Sequence, residues 1–319
     1  MVKKILITGG LGYVGGRIAQ HVALSADYQV FVTSRRGGDS PIPNVTLLHF
    51  DDSADDFRMY TDGMDCVIHL AALNEIDCVR FPYSAVDVNI KQSLHWLNAS
   101  IESKVAQFIY FSTIHVYGSP LAGEITESHL TKPTHPYSIT HRAAEDYVLA
   151  ARQNSAIDAI VLRLSNSYGA PVLPDVNRWT LLINDLCRQA IEKGALILNS
   201  DGSQERDFIA MHDVVRTVAH FLNLDKTQTQ DGLFNLSSES TFKVFEMAQK
   251  ISERFQHLFG KHIPINREAP ANIGQAPTVL INAAKLRSTG FSFEGSPDQE
   301  IDEMLLFCQK HFGNQLHPS

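Results

Sequence analysis

Residues 5–7, Ile-Leu-Ile, run straight into Thr8-Gly9-Gly10-Leu11-Gly12-Tyr13-Val14-Gly15, and a helical stretch opens at Tyr13. An apolar strand, a glycine-rich turn and a helix in that order form the first unit of a dinucleotide site. Gly9 and Gly10 let the chain turn sharply after the strand, Gly12 leaves room for a pyrophosphate, and Gly15 lets the helix pack against the strand. Unpaired N–H groups at the helix start then face the phosphate charge. The candidate cofactor contacts here are Gly9, Gly10, Gly12, Tyr13, Val14 and Gly15.

Beyond the turn, the chain keeps to the same architecture. Apolar runs at 3–8, 28–34, 45–50, 65–70, 106–112 and 157–164 alternate with helical stretches near 13–25, 84–103 and 137–154. Such alternation predicts a doubly wound parallel sheet of the Rossmann type. Ile5–Ile7 and Cys66–Leu70 are apolar on both faces, as central strands are. After about residue 166 come Pro171, Pro174, a helix near 178–192, a short strand Leu196–Leu198 and an Asp201-Gly202 turn. The expected division is a dinucleotide-binding domain over 1–165, with 206–232 returning to it, and a smaller α/β substrate lobe made of 166–205 and 233–319.

The bulk properties narrow the partners. A chain of 319 residues has room for one large domain and a lobe. Its formal net charge of -8 and pI of about 5.9 argue against a nucleic-acid or anionic-membrane surface. Cys66, Cys78, Cys187 and Cys308 have no Cys-x-x-Cys spacing and read as free thiols in a reducing compartment. The fourteen histidines show no metal-binding spacing, so no metal is expected. With a core strand at the start, no leader and no apolar run of about 18 residues, the expectation is a cytoplasmic protein.

Which dinucleotide is bound turns on the end of the second strand. An acid there holds both ribose hydroxyls of NAD, whereas a small residue followed by arginine suits the 2′-phosphate of NADP. This chain has Ser34-Arg35-Arg36 and no acid. NADP(H) is therefore favoured, with NAD(H) as the alternative, and Arg17 is a further basic candidate.

The string Thr8-Gly9-x-x-Gly12-x-x-Gly15 resembles that of the short-chain dehydrogenase/reductase superfamily. Further matches favour its extended branch, the NAD(P)-dependent nucleotide-sugar epimerases, dehydratases and reductases. Val67-Ile68-His69-Leu70-Ala71-Ala72 is similar to the family's fourth strand and turn, and Asn89 to its helix asparagine. The resemblance implies cofactor contacts at Leu70, Ala71, Ala72 and Asn89. It places an acid against the adenine amine at Asp51, or at its neighbour Asp52. His69 reads as a packed residue. Phe111-Ser112-Thr113-Ile114-His115-Val116-Tyr117-Gly118 resembles the family's Ser-Ser-x-x-Val-Tyr-Gly stretch, which gives Thr113 the catalytic hydroxyl and a place against substrate.

Tyr137-Ser138-Ile139-Thr140-His141 stands where the family has Tyr-x-x-x-Lys. The expected catalytic set is Thr113, Tyr137 and His141, with Tyr137 and His141 also holding the cofactor. A lysine charge about 5 Å from the phenol, at an effective dielectric near 20, is worth on the order of 3 kcal/mol, or about two pKa units. Histidine beside a nicotinamide cation is mostly neutral at pH 7, so that help is lost. A protonated tyrosine donates to a carbonyl better than it deprotonates an alcohol, which favours reduction. His115 and His135 lie near the site in sequence as surrogate acids or bases.

Toward the C-terminus, Leu162-Arg163-Leu164-Ser165-Asn166-Ser167-Tyr168-Gly169 and Arg206-Asp207-Phe208-Ile209 resemble the family's substrate segments. They imply substrate contacts at Asn166 and Arg206, the arginine near a diphosphate. Alternatively Arg206 closes the lobes by pairing with Asp207 or Asp213. Arg267 is the candidate for a second diphosphate arginine, without the family's usual spacing. The resemblance implies a nucleotide-sugar substrate and a homodimer through helices near 84–103 and 137–154. Two other readings stay open: reduction of a smaller carbonyl compound, and a dinucleotide sensor without turnover.

Overall fold

The computed structural model describes residues 2–51, 56–267 and 278–313. Its main sheet has seven parallel strands: β1 (Lys3–Thr8), β2 (Tyr28–Ser34), β3 (Val45–His49), β4 (Cys66–His69), β5 (Gln107–Thr113), β7 (Asp158–Leu164) and β11 (Leu233–Leu236). Their order is β3-β2-β1-β4-β5-β7-β11, so the chain reverses direction across the sheet between β1 and β4. That switch point is where doubly wound sheets leave a crevice beyond their C-terminal strand ends.

Alternation along β1 explains the layers. Ile5 and Ile7 face helices Tyr13–Val22 and Met211–Phe221, packing with Ile18, Val22, Val214 and Val218. Leu6 faces the other way, toward Trp96, Leu97, Ala144 and Val148 of helices Ser93–Glu102 and Pro136–Gln153. All three β1 side chains are fully buried, each worth about 1.5–3 kcal/mol.

The smaller unit is built from β8 (Asn166–Tyr168), β10 (Glu205–Ala210) and β12 (Thr241–Lys243), ordered β12-β10-β8. Helices Leu182–Lys193, Val244–Phe259 and Pro297–Phe312 pack beside it around Leu186, Met247, Ile251, Ile301 and Met304. Two further strand pairs lie among the described residues. The strand β6 (Gly123–Ile125) pairs with β14 (Val279–Ile281), and β9 (Leu196–Ile197) with β13 (Ile265–Asn266).

Two expectations need correction. The boundary at 232/233 falls in front of β11, which is the outermost strand of the main sheet and pairs in parallel with β7. Leu233, Phe234 and Leu236 cover the apolar edge of β7, so the returning segment extends to residue 236, and its start, β10, belongs to the smaller sheet. The helix expected over 84–103 is three pieces: Pro82–Val86, a π-helical turn Asp87–Gln92, and Ser93–Glu102. Asn89 lies on the π-turn, as functional or strained residues in helices often do.

Glu300, on the helix Pro297–Phe312, ties the lobe to the first helix. Its Oε2 accepts from His212 N at 3.1 Å. Its Oε1 lies 3.4 Å from Arg17 Nη2 but makes no hydrogen bond among the described residues. Burial of this half-satisfied carboxylate pushes its pKa up to about 7, against the pull of Arg17. A carboxyl near 4.5 when unfolded and near 7 when folded stabilises the fold fully below pH 4.5 and loses that contribution as pH rises through 7. Glu300→Gln should therefore gain on wild type by about 3 kcal/mol between pH 4.5 and 8 in urea unfolding.

Candidate active site

The crevice begins at the turn after β1. Gly9 has φ +69°, and a Cβ there would lie 3.0 Å from Ala71 N. A Cβ on Gly10 would lie 2.4 Å from Val32 Cγ1, and one on Gly15 would lie 2.3 Å from the Gly9 carbonyl oxygen. Gly12 caps the helix with extended backbone and no side-chain hydrogen bond, and no acid occupies the first turn. Gly12 N donates to the Gly9 carbonyl at 2.9 Å and Gly16 N to the Gly12 carbonyl at 2.8 Å. The N–H groups of Tyr13, Val14 and Gly15 have no partner within the helix and open toward the crevice. A turn that only glycine can line, with free donors and no competing anion, fits a dinucleotide pyrophosphate. The Tyr13 side chain turns inward, its hydroxyl shared between the Gly169 carbonyl (2.9 Å) and Asn184 Oδ1 (3.2 Å).

Opposite the turn runs the segment Leu70–Leu73. Thr8 Oγ1 accepts from Leu70 N and Ala71 N, each at 3.3 Å, and Asn89 Oδ1 accepts from Leu73 N at 2.8 Å. Ala72 lies within this segment. His69 is buried with both ring nitrogens partnered, Nδ1 to Thr8 Oγ1 (2.6 Å) and Nε2 to Ser93 Oγ (2.9 Å).

At the adenosine end, Ser34 Oγ accepts from Arg36 N at 3.0 Å, and Arg36 Nη1 lies 2.6 Å from Asp175 Oδ2. Arg35 is exposed. Arg17 instead donates to the Ala170 carbonyl at 2.7 Å. Asp51 N donates to Tyr60 Oη at 3.1 Å, and Asp52 lies outside the described residues.

At the reactive end, Thr113 closes β5 and its Oγ1 accepts from His115 N at 3.2 Å. Tyr137 and His141 stand one turn apart on helix Pro136–Gln153, their rings 4.4 Å apart and edge to face. His135 caps that helix, accepting from Tyr137 N at 3.2 Å. His141 is buried, with Nδ1 2.9 Å from Tyr110 Oη and Nε2 without a partner among the described residues. Burial lowers its pKa to about 4 despite the opposing charges of Glu145 and Glu75, so the ring is neutral at pH 7. An unpaired buried nitrogen costs about 1–3 kcal/mol, which a hydroxyl of the nicotinamide ribose would relieve. The phenol of Tyr137 is held well above its usual value, first by burial and next by Glu75, while Arg178 and a hydrogen bond with Thr113 pull it down.

Glu75 and Arg178 were not anticipated. They form an ion pair of 2.6 Å, one from the helix after β4 and one from the loop after β8. One hundred and three positions separate them, and no local motif marks either. Behind the site, Arg163 makes a two-pronged pair with Glu145 at 3.0 and 2.9 Å, and its guanidinium lies 4.7 Å from the Tyr117 ring centre.

On the substrate side, Asn166 Nδ2 donates to the Asp207 carbonyl at 2.7 Å. Asp207 is taken by Ser165 and Ser237, and Asp213 by Glu294 N, Gly295 N and Arg216. Arg206 is exposed and pairs with no carboxylate among the described residues. Solvent reaches His115, yet the protein packed round it lowers its pKa; Glu75 opposes and Arg206 reinforces that effect. Arg267 donates to the Asp201 carbonyl at 3.0 Å and stacks 3.7 Å over Phe245.

Sheet order, glycine turn and tyrosine helix together define an extended short-chain dehydrogenase/reductase fold. The NAD dependent epimerase/dehydratase family model matches residues 5–237, more than half the chain, and the chain belongs to that family. It is 28% identical to a UDP-glucose 4-epimerase of Halalkalibacterium halodurans, over 89% of this chain and 88% of the relative. It is 26% identical to the dTDP-D-glucose 4,6-dehydratase of Mus musculus, over 98% and 90%. Among solved structures, the UDP-N-acetylglucosamine 4-epimerase of Methanobrevibacter ruminantium M1 superimposes with a TM-score of 0.80 at 21% identity, covering 97% of this chain and 99% of that one. The Bacillus cereus UDP-glucuronic acid 4-epimerase, in complex with UDP-glucuronic acid and NAD, gives 0.78 at 21%, covering 97% and 100%.

A buried neutral imidazole makes a direct prediction. In proton NMR the His141 ring, assigned by its loss in His141→Gln, should not titrate above about pH 5, with its midpoint near 4.

Proposed function

We propose that the protein transfers hydride between a nicotinamide dinucleotide and a nucleotide-sugar, and that reduction of a keto group is the direction its residues favour. The observation that carries this reading is a neutral His141 against a phenol held protonated. The dinucleotide, when bound, supplies the hydride for the carbonyl carbon. Tyr137 donates its Oη proton to the carbonyl oxygen, and Thr113 Oγ1 holds the same oxygen in line. His141 Nε2 binds a ribose hydroxyl and orients the cofactor without contributing charge. Arg206, exposed and paired with no carboxylate among the described residues, takes the diphosphate, with Asn166 beside the sugar.

NADP(H) is the preferred dinucleotide in this reading, on Ser34-Arg35-Arg36, although the Bacillus cereus relative carries NAD. The second diphosphate arginine is the weaker part. Arg267 is engaged by Asp201 and Phe245, which favours a smaller carbonyl compound as the second reading. No helix among the described residues is long and apolar enough to cross a membrane. The four cysteines are free and buried, which favours a reducing compartment, and on that ground we propose the cytoplasm.

The test compares His141→Lys with wild type, following reduced dinucleotide with a panel of UDP- and dTDP-sugars in both directions. About two pKa units off the phenol should raise alcohol oxidation roughly tenfold or more, with a smaller effect on reduction. Unchanged oxidation overturns the charge argument. Tight dinucleotide binding with no hydride exchange selects the sensor reading.

We further propose a homodimer. Ile76, Val79, Phe81, Tyr83, Val86, Ile139 and Tyr147 are exposed on neighbouring helices, an apolar patch of the kind that marks an interface. Tyr83, 87% exposed, is the most open of them. Sedimentation should give twice the chain mass for wild type and the single-chain mass for a Val79→Glu/Tyr83→Glu double variant.

A further inference from the structure

The loop 169–181 leaves the end of β8 and lies across the dinucleotide crevice. The Gly169 and Ala170 carbonyls are held by Tyr13 and Arg17 of the first helix, and Val172 packs beside Gly16. Farther along, the loop is clasped on both sides of the switch point. Asp175 Oδ2 lies 2.6 Å from Arg36 Nη1, just beyond β2, and Arg178 Nη1 lies 2.6 Å from Glu75 Oε2, just beyond β4. β1 runs between those two strands.

The first clasp bears on cofactor choice. Arg36 comes just after the position where a dinucleotide's adenosine ribose is read, so its guanidinium is a natural partner for a 2′-phosphate. In this structure that guanidinium is already engaged by a carboxylate from the other half of the chain. We propose that Asp175 is a specificity-determining residue, competing with the 2′-phosphate for Arg36 and repelling it, and so narrowing the preference for NADP(H) that Ser34, Arg35 and Arg36 create. The inference rests on the NADP(H) reading proposed for this site. NAD(H), with no 2′-phosphate, leaves the clasp closed. NADP(H) must exchange one anion for the other on the same fork of donors, with exposed Arg35 adding a second charge.

Exposure sets the size of the effect. The two side chains are 77% and 53% exposed, so the pair belongs with solvent-screened ion pairs of small net worth. Its removal should change affinity by roughly threefold to fivefold, not by orders of magnitude.

The experiment measures dissociation constants of NADPH and NADH for the full chain by dinucleotide fluorescence, in wild type, Asp175→Asn, Arg36→Ala and the double variant. Asp175→Asn should tighten NADPH roughly threefold to fivefold, leave NADH unchanged, and show a smaller gain at high salt. Arg36→Ala should weaken NADPH, and the double variant should retain little of the Asp175→Asn gain. If Arg36→Ala weakens NADPH but Asp175→Asn leaves the NADPH-to-NADH ratio as it was, the competition is overturned and the NADP(H) reading stands. If Arg36→Ala leaves NADPH binding intact, the competition is overturned, whereas the NADP(H) reading falls if wild type binds NADPH no more tightly than NADH.

Discussion

How close the first helix comes to the end of β1 governs the rest of the molecule. There is no room for a side chain at Gly10 or Gly15, because Val32 on one side and the Gly9 carbonyl on the other occupy the space. That contact aims the helix start into the crevice. From the same turn a line of hydrogen bonds runs to the reactive helix: Thr8 to His69, His69 to Ser93, Ser93 to the Asn89 carbonyl, and Asn89 Nδ2 to Thr140. Thr140 stands next to His141, so the glycine turn and the helix that carries Tyr137 and His141 are positioned by one connected set of buried polar groups.

Burial sets the electrostatics of the reactive end. His69 and His141 are both held neutral, at about 3 and about 4, chiefly because a charged ring would be shut away from water. Charge does persist beneath them, but only where it is matched. Glu145 is fully buried and takes Arg163 with two parallel hydrogen bonds and Arg142 with a third. Glu145 lies one helical turn beyond His141, as His141 lies one turn beyond Tyr137, so a single helix face passes from phenol to imidazole to carboxylate.

Much of this was legible in the chain itself. The six apolar runs from Lys3 to Leu164 gave strands within about a residue of those observed, because buried parallel strands must be continuously apolar. Tyr137 and His141 share a helix face because they stand four residues apart, and Tyr137 meets Thr113 at the end of β5. The rest depends on contacts between distant segments. Arg178 and Asp175 sit in a proline-bounded loop whose path is set by Tyr13 and Arg17, and nothing local to 171–181 says that it crosses the crevice. Leu233–Leu236 is too short and too near a polar stretch to read as a sheet strand until β7 is seen to need a neighbour. The engagements of Asp207 and Asp213, which leave Arg206 without either of these two acids, come from serines and backbone amides that no spacing rule picks out.

The late arrival of β11 has a bearing on how the chain is made. Before residue 236 has emerged from a ribosome, β7 has its partner β5 on one side only, and its other margin of unpaired amides and carbonyls is flanked by the buried apolar side chains of Ala159, Ile160, Val161 and Leu162. Such a margin is a template for another nascent chain. Synthesis of this protein therefore passes through a stretch of about seventy residues, between the completion of β7 and the delivery of β11, in which a chaperone has something to shield.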